Sequence, residues 1–92
     1  MKIVFHGKII AQSEHTIVLE GTHYFPQRDV CMKYLETSNL KSICPWKGEA
    51  RYYHVEVYGR RSDNAAWEYP FPTPHASHIK NHIAFRRCIQ AH

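Results

Sequence analysis

The stretch Ala50-Arg51-Tyr52-Tyr53-His54-Val55-Glu56-Val57-Tyr58 decides the fold class. Successive side chains on a strand point to opposite faces, so period-two alternation places Tyr52, His54 and Glu56 on one face and Tyr53, Val55 and Val57 on the other. The second set is the apolar one and is expected to face a core. β-Branched and aromatic residues dominate the run, as a half-buried strand requires.

The same signature recurs on both sides of this strand. Upstream, Ile3-Val4-Phe5, Lys8-Ile9-Ile10-Ala11 and Thr16-Ile17-Val18-Leu19 are short apolar runs. They are parted by His6-Gly7, by the polar turn Gln12–His15 and by Gly21, the pattern of a β-meander. Pro26 stops the strand through Tyr24-Phe25, because proline has no N–H for a ladder. Gln27 to Lys33 is a turn or a single helical turn. Tyr34-Leu35-Glu36 and Ser42-Ile43-Cys44 read as two short extended pieces around a polar bend, Thr37 to Lys41, and Pro45 holds Cys44 in extended geometry. Downstream, the charged run Gly59 to Asn64 is expected to be a hairpin loop leading to Ala65-Ala66-Trp67-Glu68-Tyr69. Thr73 as N-cap and Pro74 at the first helical position predict one short helix, Pro74 to Lys80, stopped at Asn81. Ile83-Ala84-Phe85 closes the pattern as a last strand. The expectation is a mainly β, single small domain over residues 1–92, of coiled antiparallel sheets with one short helix near the C-terminus.

Size and composition agree. A chain of 92 residues has room for one hydrophobic core. A domain of this size buries roughly 60–70% of its unfolded surface, enough to stand without disulfides or a structural metal. Hydrophobic residues at 43% against charged residues at 22% exclude a disordered chain. No apolar run is long enough to span a membrane, and Met1–Gly7 is too soon interrupted to be a signal peptide. Cys31, Cys44 and Cys88 form no CxxC pair, and an odd, sparse set suits a reducing compartment, so a cytoplasmic location is expected. The net charge of +4 is spread along the chain, with Arg60-Arg61 and Arg86-Arg87 the only basic doublets. A scattered charge of this kind is a solvated surface rather than a nucleic-acid stripe.

The densest chemistry lies in Cys44-Pro45-Trp46-Lys47-Gly48. Together with His23-Tyr24-Phe25-Pro26 upstream and Ala65-Ala66-Trp67-Glu68-Tyr69-Pro70 downstream, in this order and spacing, the sequence resembles domain-of-unknown-function family 427, sometimes labelled nucleotidyltransferase-like. The resemblance runs over about residues 2–85, leaving 86–92 as a tail to which nothing is carried. It implies a compact domain of coiled β-sheets related to the β-tent architecture. Relatives of that architecture hold a metal through two CxxC pairs. Neither pair is present, so no metal or cofactor is implied. The transferase label finds no residues: only Asp29 and Asp63 are aspartates, far apart, and no phosphate-cradling glycine loop exists.

Taken by themselves, the residues leave alternatives open. Cys44 is either a thiolate nucleophile or redox centre, assisted by Lys47 and a histidine such as His23, or a packed cysteine ending a strand. Trp46, Trp67, Tyr24, Tyr53 and Tyr69 either line a cleft in which Lys47 meets an acidic group, or fill the core of a small domain. His75, His78 and His82 would share a face of a continuous helix and suit zinc, but Asn81 is expected to end the helix before His82, leaving a solvated face. The reading adopted is a cleft for a small molecule or peptide near the Cys44–Gly48 segment, in a monomer or weak homo-oligomer. A thiol enzyme using Cys44 is the alternative. Single-stranded nucleic acid is a minor one, since aromatic and basic residues interleave without any recognised nucleic-acid motif.

Overall fold

The long strand predicted from alternation forms over Gly48–Val57 in the computed structural model, which describes residues 1–87 and 89–91. In chain order the strands are β1 (Lys2–Phe5), β2 (Lys8–Gln12), β3 (Ile17–Leu19), β4 (Thr22–Pro26), β5 (Leu35–Cys44), β6 (Gly48–Val57), β7 (Arg60–Glu68), β8 (His82–Phe85) and β9 (Gln90–Ala91). All pairings are antiparallel, in a three-stranded sheet ordered β2-β1-β9 and a six-stranded sheet ordered β3-β4-β8-β7-β6-β5. Three of the hairpins turn on two residues, His6-Gly7, Glu20-Gly21 and Tyr58-Gly59, and in each pair both φ angles are positive. That is the type I′ geometry whose twist matches the strands it joins.

The central strands of the six-stranded sheet carry a buried cluster on each face, while the edge strand β5 is largely exposed. On one face Phe25, Val55, Val57, Ala66, Ile83 and Phe85 pack with Ile3, Phe5, Ile10 and Ala11 of the smaller sheet, which forms the main core. On the other face Tyr24, Ala50 and Ala84 pack with Tyr69, Ala76 and Ile79, and Cys44, Tyr52 and Trp67 join them from its edge. Alternation along β6 therefore behaves as expected, with Val55 and Val57 fully buried in the main core.

Two expectations are corrected. Thr37–Lys41 is not a bend between two short pieces; β5 runs unbroken through it, and Ser38, Asn39 and Leu40 together stand opposite Tyr52 alone. Gly59–Asn64 is not a loop either. The turn is Tyr58-Gly59, β7 begins at Arg60, and Asp63, Asn64 and Ala65 stand opposite His54. Each polar run thus runs into a bulge, Ser38–Leu40 on β5 and Asp63–Ala65 on β7, and the two flank β6 on its two sides. Extra residues of this kind bend a strand and increase its twist, which coils the sheet. Ser38 Oγ donates to Asn64 Oδ1 and ties the bulges together across β6, while the Asn64 backbone N–H donates to His54 Nδ1 at 3.0 Å. Asn64 itself sits in the left-handed region at φ 52°.

The short helix expected near the C-terminus is present, in 3-10 form. Pro74–Ile79 is a 3-10 segment broken at Ala76, and two further 3-10 turns cover Gln27–Asp29 and Met32–Tyr34. A segment this short draws its stability from tertiary packing, and Ala76 and Ile79 are both completely buried. Thr73 occupies the N-cap position, yet its hydroxyl donates to the Trp46 carbonyl and caps nothing.

Candidate functional site

Tyr24, Trp67 and Tyr52 come from β4, β7 and β6 and share the sheet face turned away from the main core. β8 lies between β4 and β7, and opposite Trp67 it carries only Ala84. The small side chain lets the Tyr24 and Trp67 rings meet above it, edge to face at 6.5 Å, with Trp67 Nε1–H donating to the Tyr24 hydroxyl at 3.3 Å. Tyr52 lies on the other side of Trp67 at 6.2 Å, and its hydroxyl hydrogen-bonds Ser42 Oγ at 3.0 Å. Tyr69 adds a buried ring just beyond β7.

Walls rise from this aromatic floor on three sides. The β3–β4 hairpin contributes Leu19, Glu20 and Thr22, the β5–β6 turn contributes Lys47, and Phe85, Arg86 and Arg87 stand at and beyond the end of β8. They enclose an open cavity of about 660 Å³, within the range of small-ligand sites. Its lining carries three cations against one carboxylate.

Local sequence fixes the lysine. Cys44-Pro45-Trp46-Lys47 is a tight turn closed by the Lys47 N–H donating to the Cys44 carbonyl at 3.2 Å, with proline at the position whose φ it presets. Gly48 follows at φ 116°. The Thr73 N–H donates to the Lys47 carbonyl at 3.0 Å, and with the Thr73 hydroxyl on Trp46 it staples this turn to the proline-rich segment. Lys47 then points inward, its ammonium 5.1 Å from the Trp46 ring and 5.7 Å from the Tyr69 ring, and it donates to Glu20 Oε1. Burial by itself lowers a lysine, but here the hydrogen bond to Glu20 and the neighbouring hydroxyl and thiol groups outweigh it and hold the ammonium above its ordinary value. Burial also raises the phenols: Tyr24 titrates above its usual range and Tyr69 is pushed up to about 12. Arg86 completes the rim, its guanidinium 5.9 Å from the Tyr52 ring and its Nε–H donating to the Asn64 carbonyl at 2.6 Å. The β7 bulge thus reaches the site through Arg86.

Of the residues singled out from sequence, Tyr24, Lys47, Trp67 and Tyr69 line one cavity. Trp46 stays outside the lining, 38% exposed, and backs Lys47. Tyr53 faces the opposite side, packing against the main core and donating its hydroxyl to Glu68, because adjacent strand residues cannot share a face. His23 is turned from Tyr24 for the same reason. It meets Thr16 Oγ1 at 2.9 Å and lines a neighbouring cavity of about 200 Å³ with Phe25. Cys44 is half-buried in the packing under the site and is absent from the lining. His75 and His78 are exposed on the 3-10 segment while His82 belongs to β8. Among the described residues, no group of three histidine, cysteine or acidic side chains is placed to hold a metal ion. Sequence reasoning missed Tyr52, Glu20 and the Arg86-Arg87 pair. The signals were the alternation that already set Tyr52 opposite the core face, and a basic doublet directly after the last predicted strand.

A family profile described as "Domain of unknown function (DUF427)" matches residues 1–90. The chain belongs to the DUF427 family. No curated protein matches it. The profile match takes in the whole lining of the cavity, Arg86 and Arg87 included, beyond Phe85 where the motif resemblance stopped. No helix among the described residues of this DUF427 domain is long and apolar enough to cross a membrane.

Proposed function

We propose that this DUF427 domain binds a small molecule, or the side chain of a short peptide, that carries a planar apolar body and an acidic group. One observation carries the reading: a cavity floored by Tyr24, Trp67 and Tyr52 is walled by Lys47, Arg86 and Arg87 against the single carboxylate of Glu20. Aromatic faces recognise a flat apolar group, and the excess of cations draws an anion into a partly desolvated cleft.

The competing readings find less support. Cys44 stands outside the lining, which counts against a thiol nucleophile meeting a bound substrate. Arg61 is engaged by Glu36, Glu56 and Asp63, which counts against a basic track for nucleic acid. Cys31 and Cys44 as free thiols suit the cytoplasm, and a monomer or weak homo-oligomer is the assembly that fits a cleft contained within one chain.

The test compares 2-naphthoate with its neutral isostere 2-naphthamide by tryptophan fluorescence and by amide chemical shifts. The reading expects both to perturb residues of the aromatic floor, with the acid bound more tightly. Trp67→Ala should weaken both, and Arg86→Gln with Arg87→Gln should weaken only the acid. Cys44→Ser should leave both affinities within about twofold, a few tenths of a kcal/mol. Loss of binding in Cys44→Ser, or shifts confined to residues away from the cavity, would overturn the reading.

A further inference from the structure

Lys47 is the only charged residue buried among the described residues. A cation in that position needs an anion, since an unpaired buried charge is costly. Glu20 supplies it, and the two partners differ sharply in burial: the Lys47 side chain is 11% exposed and that of Glu20 is 54% exposed. The asymmetry decides which partner can leave. Lys47 cannot reach water without abandoning the Trp46 and Tyr69 rings. Glu20 sits in the two-residue turn of the β3–β4 hairpin, already half in solvent, and its carboxylate is rehydrated by a side-chain rotation alone.

We propose that Glu20 is a resident stand-in for the carboxylate of a ligand, exchanged for it when the ligand binds. This rests on the binding reading above and names its acidic group. The incoming carboxylate accepts the Lys47 hydrogen bond, Glu20 turns out to solvent, and the net charge around Lys47 stays unchanged. A carboxylate suits the position because it reproduces the group and the charge that Glu20 already places on the Lys47 ammonium. Glu20 therefore sets a threshold: only an acid whose apolar body gains enough on the Tyr24–Trp67–Tyr52 floor displaces it.

The experiment measures 2-naphthoate and 2-naphthamide binding to the wild-type chain, Glu20→Gln, Lys47→Met and the double variant. Removing the internal competitor should tighten 2-naphthoate roughly three- to tenfold, the weight of a partly exposed ion pair. It should leave 2-naphthamide unchanged, and the gain should vanish in the Lys47→Met background. If Glu20→Gln fails to fold, Glu20→Asp, one methylene shorter, should show the same ordering in smaller measure. In the wild-type chain, the ¹³C carboxyl resonance of Glu20 should move to the solvent-exposed value as 2-naphthoate saturates. An unchanged or weakened 2-naphthoate affinity in Glu20→Gln, with 2-naphthamide still bound, overturns the exchange and leaves the binding reading standing. If neither probe binds any variant at millimolar concentration, both fail.

Discussion

Gly48→Ala probes whether the turn that aims Lys47 is as tightly specified as the structure implies. Gly48 adopts φ 116°, a region outside the reach of side-chain-bearing residues, and a Cβ built there lies 3.1 Å from the Phe71 carbonyl oxygen and 3.5 Å from the Pro72 Cα. Both obstacles are backbone, so no side chain can swing aside. The conformational strain costs about 1–3 kcal/mol. Relieving the contact pushes the 71–73 segment away and endangers the Thr73 N–H bond to the Lys47 carbonyl, worth about 1 kcal/mol more. The sum, about 2–4 kcal/mol, corresponds to a fall in melting temperature of about 8–30 °C for a domain of this size. Gly59→Ala is the control. Its φ of 80° lies near the left-handed region and nothing stands within 4 Å of its Cβ, so it should cost about 1–2 kcal/mol. Thermal melts followed by far-UV circular dichroism, with urea titrations alongside, give the comparison. A Gly48→Ala chain as stable as Gly59→Ala would refute the claim that the 45–48 turn and the proline-rich segment are locked together.

Two further outcomes are expected. Asn64→Ala should lose about 1–3 kcal/mol by urea unfolding, because it removes the acceptor of the Ser38 bond while keeping a left-handed φ; Asn64→Gly should recover about 1 kcal/mol of that by relieving the backbone alone. Stability against pH should be flat with respect to the tyrosines below pH 10 and fall as pH rises from there towards 12. The unfolded chain ionises its phenols near 10, whereas burial raises Tyr24, Tyr53 and Tyr69 in the folded chain, Tyr69 to about 12. Urea midpoints across that range, with phenolate absorbance as the second signal, check the direction.

The strands were legible because their cause is local. Period-two alternation in 52–57 and the glycine-marked turns at 7 and 21 depend on a few neighbouring residues, so the mainly antiparallel β class and the core face of β6 followed from sequence. Where the reading erred, a local signal had a non-local answer. Thr37–Lys41 and Gly59–Asn64 are largely polar and look like loops, but apart from Gly59 both lie in strands paired with β6, and Ser38–Leu40 and Asp63–Ala65 bulge only because the flanking residues hold their register. Thr73 and Pro74 form a sound helix start, yet Thr73 bonds Trp46, twenty-seven positions earlier, in preference to its own turn.

The site divides in the same way. Sequence alone singled out Cys44, Trp46, Lys47, Tyr24, Tyr53, Trp67, Tyr69 and His23 as candidates, since residue type and proline position are written in the chain. It could not assign them to one cavity. Which ring faces which side depends on strand order, and β8 entering between β4 and β7 with only Ala84 opposite Trp67 is what lets Tyr24 reach that ring. The same order sends Tyr53 to the main core and Tyr52 to the cleft, and closes the rim with Glu20 and Arg86 from distant hairpins. Composition and spacing act over a few residues, whereas a cavity is made by surfaces that meet only after the sheet has coiled.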